Sequence, residues 1–464
     1  MIHFLKRYSF YFIAVISSIL YYYFAYHLER TSFGTLCILW FSLFTGYFFL
    51  TNKQQYSFKS LAFLAILFRL IFLIATPNLS QDFYRFVWDG RMIFEGFNPY
   101  MYLPETFIKN GVFPVSNASE LYAGMGAMNG SHYTNYPPLN QFSFFIAALF
   151  SNDSIWGAAI VLRLQIILAD IGILFIGAKL LKSINKNQYL IFLYALNPFI
   201  IIEMTGNLHF EPVMLFFLVL SLYLFYKKKW VYSAFMFAFS ISVKLIPLLF
   251  LPIFLKPFLV RKGKIEWERI SKLVLFYTVI IITVLVLFVP FLSPDLIDNY
   301  SNSVGLWFRN FEFNASFYYI FREIGYLFRG YNEIAVIGKI TPVLTVIFLM
   351  VVSLFNKNKT ITDITTSMLF ALSFYYFTTT TMHPWYLATL IILSVFTKYR
   401  FPLVWSLVII LSYQAYANTP WKENLWFVAI EYIVMYSYLF YEIKKPTQRL
   451  SGKNCYEKEK ESGL

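Results

Sequence analysis

Residues 270–292 read ISKLVLFYTVIIITVLVLFVPFL, an apolar run long enough to cross the hydrocarbon core of a bilayer as a helix. Similar runs recur along the chain. Of its 464 residues, 59% are apolar and 13% are charged, whereas soluble domains carry roughly 25% charged residues. We therefore predict an all-α fold, a polytopic transmembrane helical bundle of about 12–14 spans whose loops carry membrane-surface helices.

Two long polar stretches, the first long loop (77–140) and the second long loop (293–338), interrupt the apolar runs. The predicted spans are residues 8–28, 33–51, 59–76, 155–181, 189–204, 210–226, 230–256, 270–292, 339–356, 364–380, 384–397, 401–417 and 424–443. We expect residues 1–443 to form a single membrane-embedded domain. A polar cytoplasmic tail, residues 444–464, should follow it.

The net charge of +14 does not indicate a nucleic-acid partner, because the basic residues form short clusters between apolar runs. Loops rich in lysine and arginine stay on the cytoplasmic side. This rule puts both long loops outside, provided that residues 139–151 do not cross and that residues 230–256 turn back as a hairpin near Lys244. We expect a multi-pass protein of the cell inner membrane with both termini cytoplasmic and an extracytoplasmic active site. Lys6 and Arg7 precede an apolar run without a cleavage site, which indicates a retained first span.

The first long loop begins with the most informative polar segment, where residues 80–91 read SQDFYRFVWDGR. Ser80 is a candidate N-cap for a helix. Such a helix would have one face with Asp82, Arg85 and Asp89, and a second face with Tyr84, Trp88 and Arg91. The pattern predicts a membrane-surface helix that directs two carboxylates toward one site. Ion pairs between the Asp and Arg side chains would explain the same residues without a site, and residue types alone do not decide between the two.

Other polar segments fall at the predicted outer ends of spans. They are Tyr136-Pro137-Pro138-Leu139, Asn207-Leu208-His209-Phe210-Glu211-Pro212, residues 307–314 (WFRNFEFN) and residues 378–386 (TTTTMHPWY). His209 and Glu211 could hold a substrate hydroxyl or a metal, or could cap a helix; no second His/Glu cluster favours a zinc site. His383, Trp385 and Tyr386 suit a sugar, although Trp and Tyr favour this depth in any membrane protein. Residues 307–314 could close over a groove.

Lys244 is flanked by apolar sequence on both sides, since residues 240–250 read SISVKLIPLLF. A lone ammonium group in such surroundings is unfavourable unless an anion pairs with it. A lipid phosphate would be such an anion, and snorkelling of the side chain to the interface is the alternative. We favour the anion.

Taken in chain order, these motifs resemble the GT-C superfamily of membrane glycosyltransferases, and more narrowly its bacterial polyprenyl-phosphate-mannose-dependent mannosyltransferases. The ordered set comprises residues 82–91, 98–100, 136–139, 209–211, 243–247 and 383–386. The resemblance implies transfer of a hexose, mannose in this branch, from a polyprenyl-phosphate-sugar to a glycan or glycolipid acceptor, with inversion. It implies Asp82 as general base and Asp89 as a second acid that assists the acceptor or holds a divalent cation, Mg²⁺ or Mn²⁺.

The predicted site has three groups of residues. Asp82 and Asp89 are the catalytic candidates; Lys244, Arg85 and Arg91 are candidates for the donor phosphate; Tyr84, Trp88, Tyr136, His209, Glu211, His383, Trp385 and Tyr386 are candidates for the substrate. No metal ligands are assigned. Positive groups would stabilise a departing phosphate, and an apolar-walled interface would raise the pKa of a carboxyl group.

Three other function classes remain open from the sequence. A transporter or flippase of a lipid-linked saccharide is one, although we find no repeat between the two halves of the chain. A surface polysaccharide ligase or polymerase is the second. A non-catalytic scaffold is the third, and it leaves the ordered polar motifs unexplained.

Overall fold

The computed structural model describes residues 2–52, 56–261, 264–309 and 311–445. The α-helices are α1 (Ile2–His27), α2 (Phe33–Asn52), α3 (Phe58–Ile71), α4 (Asp82–Phe94), α5 (Pro104–Lys109), α6 (Ala118–Gly130), α7 (Pro138–Phe150), α8 (Ile155–Ser183), α9 (Phe192–Ala195), α10 (Glu211–Tyr226), α11 (Trp230–Val243), α12 (Leu255–Leu259), α13 (Ile270–Phe288), α14 (Leu296–Arg309), α15 (Phe317–Arg329), α16 (Ile334–Phe355), α17 (Ile361–Thr378), α18 (Leu387–Phe396), α19 (Phe401–Val408) and α20 (Leu425–Lys444). Two short strands, β1 (Val260–Arg261) and β2 (Lys264–Ile265), pair in antiparallel fashion. Helices dominate the described residues, so the predicted all-α bundle is confirmed. Most of the predicted tail, residues 446–464, lies outside the described residues.

Within the described residues, five helices are long and apolar enough to cross a membrane. They are Tyr8–His27, Phe33–Thr51, Ile155–Ser183, Ile270–Phe291 and Ile334–Phe355. A sixth crossing would come from Gln188–Ala195 and Ile200–Gly206 together, which meet at a bend of 60°. Shorter apolar helices are Pro138–Phe150, Glu211–Tyr226, Trp230–Val243, Ile246–Leu259, Pro384–Phe396 and Phe401–Ala417. These helices indicate a multi-pass membrane protein, and the count of 12–14 spans stays a prediction.

Several connections are helical turns of other kinds. They are 3₁₀-helical at Gln188–Ile191, Ile246–Phe254, Trp267–Arg269, Val289–Phe291, Pro384–Tyr386 and Ile409–Ala417, and π-helical at Ile200–Gly206. The buried Arg163 of α8 supports the π-helical turn by donating hydrogen bonds to the carbonyls of Thr205 at 2.8 Å and Gly206 at 3.1 Å. Carbonyls that the helix does not pair must find another donor when they are buried. Arg163 thereby fixes the backbone that leads to His209.

Residues 230–256 form the hairpin that the charge pattern predicts. Helix α11 ends at Val243, Lys244 has extended backbone (φ −148°, ψ 144°), and Ile246–Phe254 returns as a 3₁₀-helix. Rings pair across the two arms, Trp230 with Phe258 at 5.8 Å and Phe237 with Phe254 at 5.4 Å between centroids. The two arms therefore run antiparallel, and the turn at Lys244 lies at one end of the hairpin.

Helix α4, which opens the first long loop, packs against α6 and α7. Gly90 permits this approach, because a Cβ at that position would lie 2.2 Å from the carbonyl oxygen of Phe144. The predicted N-cap is wrong by one residue. Gln81 occupies the cap position without a side-chain bond, while the Ser80 hydroxyl accepts a hydrogen bond from the backbone N–H of Asp82 at 3.3 Å.

Candidate active site

A cavity of about 490 Å³ lies between the first long loop, the Lys244 turn and the segment around His383. We call it the Asp82 cavity. Its lining includes Asp82, Arg85, Tyr136, Lys244, His383, Trp385 and Tyr386 from the predicted motifs, and Arg30, Asn129, His132, Phe311, Tyr375 and Tyr416 besides them. Its volume falls in the range of about 300–1,000 Å³ that is typical of small-molecule sites. The fold therefore brings motifs that are far apart in sequence to a single place.

The side chain of Asp82 is half-buried and faces this cavity. Its Oδ1 accepts a hydrogen bond from Nδ2 of Asn129 at 3.3 Å. Burial raises the pKa of Asp82, and the positive charge of Lys244 together with the Asn129 hydrogen bond opposes the rise. A carboxylate with a raised pKa is a better proton acceptor at neutral pH.

Arg85, one turn after Asp82 on α4, forms a buried ion pair with Asp89, which lies two turns after Asp82. The Nε of Arg85 lies 2.8 Å from Oδ1 of Asp89, and the two side chains are 4% and 1% exposed. The other carboxylate oxygen of Asp89 accepts from Nε2 of Gln141 at 3.1 Å. The predicted common face exists, but only Asp82 and Arg85 reach the cavity from it. Asp89 is tied into the protein interior.

The second predicted face of α4 lies away from the cavity. Arg91 donates hydrogen bonds to the carbonyl of Ser116 at 2.5 Å, the side-chain oxygen of Asn117 at 3.0 Å and the carbonyl of Asp153 at 2.7 Å. Trp88 is buried, and the ring of Tyr84 packs over Gly124. These three side chains pack within the first long loop or tie it to Asp153. None of them lines the cavity, so their predicted contacts to donor and substrate find no support in the geometry.

Lys244 has the anionic partner that its apolar surroundings demand, and that partner is a carboxylate. Its Nζ lies 2.5 Å from Oε1 of Glu211, and the side chains are 17% and 3% exposed. Lys244 also lines the cavity. Glu211 stands behind Lys244 and does not line the cavity.

Trp385 lies between two histidine rings. Its ring centroid is 4.4 Å from that of His383, with planes 5° apart, and 4.1 Å from that of His209, with planes 17° apart. His383 and Trp385 line the cavity, whereas His209 is buried behind them. Burial lowers the pKa of His383 to about 3, and the charge of Lys244 adds to the effect. The stack is therefore a neutral aromatic wall.

The second long loop closes one side of the cavity, as residues 307–314 predict. Phe313 and residues 380–382 form a short parallel bridge, in which the N–H of Phe313 donates to the carbonyl of Thr380 at 3.2 Å and the N–H of Met382 donates to the carbonyl of Phe313 at 2.8 Å. Phe311 lines the cavity and packs against His383, with ring centroids 5.8 Å apart. Asn310 and the side chains of residues 306–309 lie outside the described part of the structure.

Sequence reasoning missed several residues of the cavity, of which Arg30 matters most. Its Nη1 donates to the carbonyl of Leu79 at 3.0 Å and to Oε1 of Gln81 at 3.1 Å, and its guanidinium lies 4.2 Å from the ring centroid of Tyr416. A signal did exist, because Arg30 follows the first span on the predicted outer side, against the positive-inside pattern. Asn129 and Tyr416 carry no comparable signal in the sequence.

The acids of α4 do not fit a divalent cation held by Asp82 and Asp89 together. One oxygen of Asp89 accepts from Arg85 and the other from Gln141, whereas Asp82 faces the cavity that Asp89 does not line. Among the residues that the structure describes, no group of three His, Cys, Asp or Glu side chains is placed to hold a metal ion.

Residues 14–259, more than half of the chain, match the model of the MptA_B family, described as alpha-(1->6)-mannopyranosyltransferase, N-terminal domain. Comparison with curated proteins and with solved structures gives no match. The matched region contains Asp82, Arg85 and Lys244 of the cavity and ends before His383. It confirms the predicted resemblance to membrane mannosyltransferases, which act on a sugar donor and an acceptor. This chain therefore belongs to the MptA_B family of mannosyltransferases.

Proposed function

We propose that this chain transfers mannose from a polyprenyl-phosphate-linked donor to a hydroxyl group of a glycan or glycolipid acceptor outside the cytoplasm, as an inverting enzyme of the GT-C superfamily. One observation carries the proposal. The carboxylate of Asp82 faces a cavity that also presents the ammonium group of Lys244 and the aromatic wall around Trp385. A proton acceptor, a positive group and apolar rings are the parts that glycosyl transfer from a lipid phosphate requires.

Asp82 has the role of general base in this proposal. It takes the proton of the acceptor hydroxyl while the hydroxyl oxygen forms a bond to the anomeric carbon of mannose. The bond between that carbon and the phosphate oxygen breaks, and polyprenyl phosphate leaves with the electron pair. Attack opposite to the leaving group inverts the configuration. Such base catalysis contributes about 10²–10⁴ in rate.

Positive side chains of the cavity would stabilise the departing phosphate. Arg85 is matched by Asp89 and Lys244 by Glu211, so each already has a carboxylate partner. Arg30 has no carboxylate within ion-pair distance among the described residues, and its guanidinium is held in place by two acceptors. We therefore add Arg30 to Lys244 as a contact for the donor phosphate.

Aromatic side chains would hold the sugar. Tyr136, Trp385 and Tyr386 line the cavity, and Tyr375 and Tyr416 stand near them. Rings of Tyr and Trp combine a large apolar surface with a polar group at one end, which suits a mannose ring that has apolar and hydroxyl-bearing sides. This wall supports a saccharide as ligand rather than an inorganic ion.

The cavity would open on the extracytoplasmic side of the cell inner membrane, with both termini in the cytoplasm. Support comes from the basic clusters between the apolar runs, which put both long loops on the other side. Labelling of single cysteines introduced at exposed positions Asp298 and Lys359 with a membrane-impermeant reagent would test this, since only the first should react in intact cells.

The activity is tested with purified protein, radiolabelled polyprenyl-phosphate-mannose and a panel of acceptors, with release of polyprenyl phosphate as the signal. Asp82→Asn should lower turnover by about 10²–10⁴ because the base is lost. Asp298→Asn is the matched control, since Asp298 is an exposed acid of the second long loop. Full activity of folded Asp82→Asn protein would refute Asp82 as base. Movement of the intact donor across a vesicle membrane, without formation of a mannosylated product, would favour the flippase alternative.

A further inference from the structure

The buried pair of Arg85 and Asp89 reaches Asp82 through a continuous set of hydrogen bonds. While its Nε binds Asp89, the Nη1 of Arg85 donates to the carbonyl of Asn129 at 2.5 Å and to that of His132 at 3.0 Å. We call residues 129–132 the Arg85-bound segment. It borders the cavity, because Asn129 and His132 both line it.

The Arg85-bound segment in turn contacts the proposed base. The side chain of Asn129 donates to Oδ1 of Asp82 at 3.3 Å, one helical turn before Arg85. A guanidinium group presents several N–H donors in a fixed plane, so it fixes the relative positions of all the acceptors that it binds. Arg85 thus links Asp89 on one side to the neighbours of Asp82 on the other.

Asp89 is also anchored from behind. Gln141 of α7 donates through Nε2 to Oδ2 of Asp89 at 3.1 Å and to the hydroxyl of Thr134 at 2.9 Å. Neither Asp89 nor Gln141 lines the cavity, so neither reaches a ligand there. With both oxygens occupied, Asp89 provides the negative charge that a buried guanidinium needs.

We infer that Asp89 is a positioning residue, which acts through Arg85 and the Arg85-bound segment to orient Asp82 and does not touch the substrate. The inference rests on the proposed role of Asp82 as base. Loss of the Asp89 charge leaves Arg85 buried without a counter-ion, so the guanidinium turns toward water and the segment shifts. Asn129 then no longer holds Asp82 in line with the acceptor. A displacement of about 1 Å at a reacting group lowers turnover by about 10²-fold.

The test is a double-mutant cycle on the full-length protein with Asp89→Asn, Arg85→Gln and both together. Each single variant should lower kcat by about 10²-fold with little change in the donor KM. The double variant should be no slower than the worse single one, because both changes break the same contact. Multiplied losses in the double variant would mean that the two residues act independently, and would overturn the inference.

A pH profile of kcat/KM adds a readout that a merely structural role would not change. The Asn129 hydrogen bond lowers the pKa of Asp82, so its loss should move the acid limb of the profile to higher pH. Asp89→Asn and Asn129→Ala should both show this shift. A raised acceptor KM in Asp89→Asn with an unmoved acid limb would instead assign Asp89 to the acceptor.

Asn129→Ala also covers the case in which Asp89→Asn does not fold, since Asn129 is half-buried and its replacement leaves the ion pair intact. Unchanged kcat and pH profile in Asn129→Ala would overturn the inference by itself. The proposed function fails separately: it is refuted if Asp82→Asn keeps full activity. Inactive Asp82→Asn with multiplied losses at positions 85 and 89 would refute only the positioning role.

Discussion

Two buried arginine–aspartate pairs of this protein have nearly the same geometry and different surroundings. Arg85 and Asp89 are 2.8 Å apart on α4, and Arg69 and Asp170 are 2.7 Å apart between α3 and α8, with every side chain at most 4% exposed. The remaining guanidinium bonds differ. Arg69 donates from Nη1 to two carbonyls of helices, whereas Arg85 donates to the segment beside Asp82.

The two pairs are equally buried, so the other acceptors of each guanidinium group distinguish the pair that supports the site from the pair that supports the fold. Asp170 also accepts a hydrogen bond from the hydroxyl of Tyr194 at 2.8 Å, so this pair joins α3, α8 and α9. None of these residues lines the Asp82 cavity. Ionisable residues inside a membrane domain are functional candidates by default, and Asp170 is a case where structure explains the charge.

The largest effect on stability should follow from breaking the structural pair. Asp170→Asn leaves the Arg69 guanidinium buried without a counter-charge, which destabilises the fold by about 3–5 kcal/mol. Denaturant unfolding in detergent measures the loss. Turnover per folded molecule and the acid limb of the pH profile should stay as in the parent protein, unlike in Asp89→Asn. A lower kcat with unchanged stability would erase the distinction between the two pairs.

A third ion pair, Lys244 with Glu211, differs from both buried arginine–aspartate pairs. Lys244 is 17% exposed and lines the cavity, and in the proposed function its ammonium group exchanges Glu211 for the donor phosphate. Lys244→Met should raise the donor KM by about 10- to 100-fold, since a hydrogen bond to a charged group contributes about 1.5–3 kcal/mol. The acceptor KM should change little.

Glu211→Gln is the matched comparison for Lys244→Met. It removes the competing carboxylate, so the ammonium group should bind the donor phosphate as well as before or better. An equal rise of the donor KM in both variants would show that the pair acts only by holding the two segments together. An unchanged donor KM in Lys244→Met would exclude Lys244 from the phosphate contact.

The sequence predicted on which face of α4 these residues lie better than it predicted which side chains they contact. Helical spacing put Asp82, Arg85 and Asp89 on one side of α4, as observed. Periodicity could not decide which of two carboxylates pairs with Arg85, because i−3 and i+4 neighbours are equally close on a helix. The answer depends on Gln141 and on residues 129–132, which approach from other parts of the chain.

The same limit applies to the rest of the site. Order along the chain and apolar surroundings identified Asp82, Lys244 and Trp385, all of which line the cavity. On the second face of α4, Tyr84 and Trp88 were assigned to the substrate and Arg91 to the donor phosphate, and none of the three lines the cavity. Glu211 and His209 reach the cavity only through Lys244 and Trp385. Such indirect roles arise from packing between distant segments, which residue spacing does not encode.

The uncharged wall should contribute least of the regions compared. Trp385 stacks between two neutral histidines, and an aromatic pair adds about 0.5–1.5 kcal/mol beyond its buried area. Trp385→Phe keeps a ring in the stack and should raise the KM for the sugar substrate only a few-fold, with kcat and the pH profile unchanged. Added salt should leave this effect alone while it weakens the contribution of Lys244, because only the latter is a charge interaction. If Trp385→Phe lowered kcat as much as Asp82→Asn does, the wall would take part in the reaction. The absence of charge on these rings would then not distinguish them from the catalytic residues.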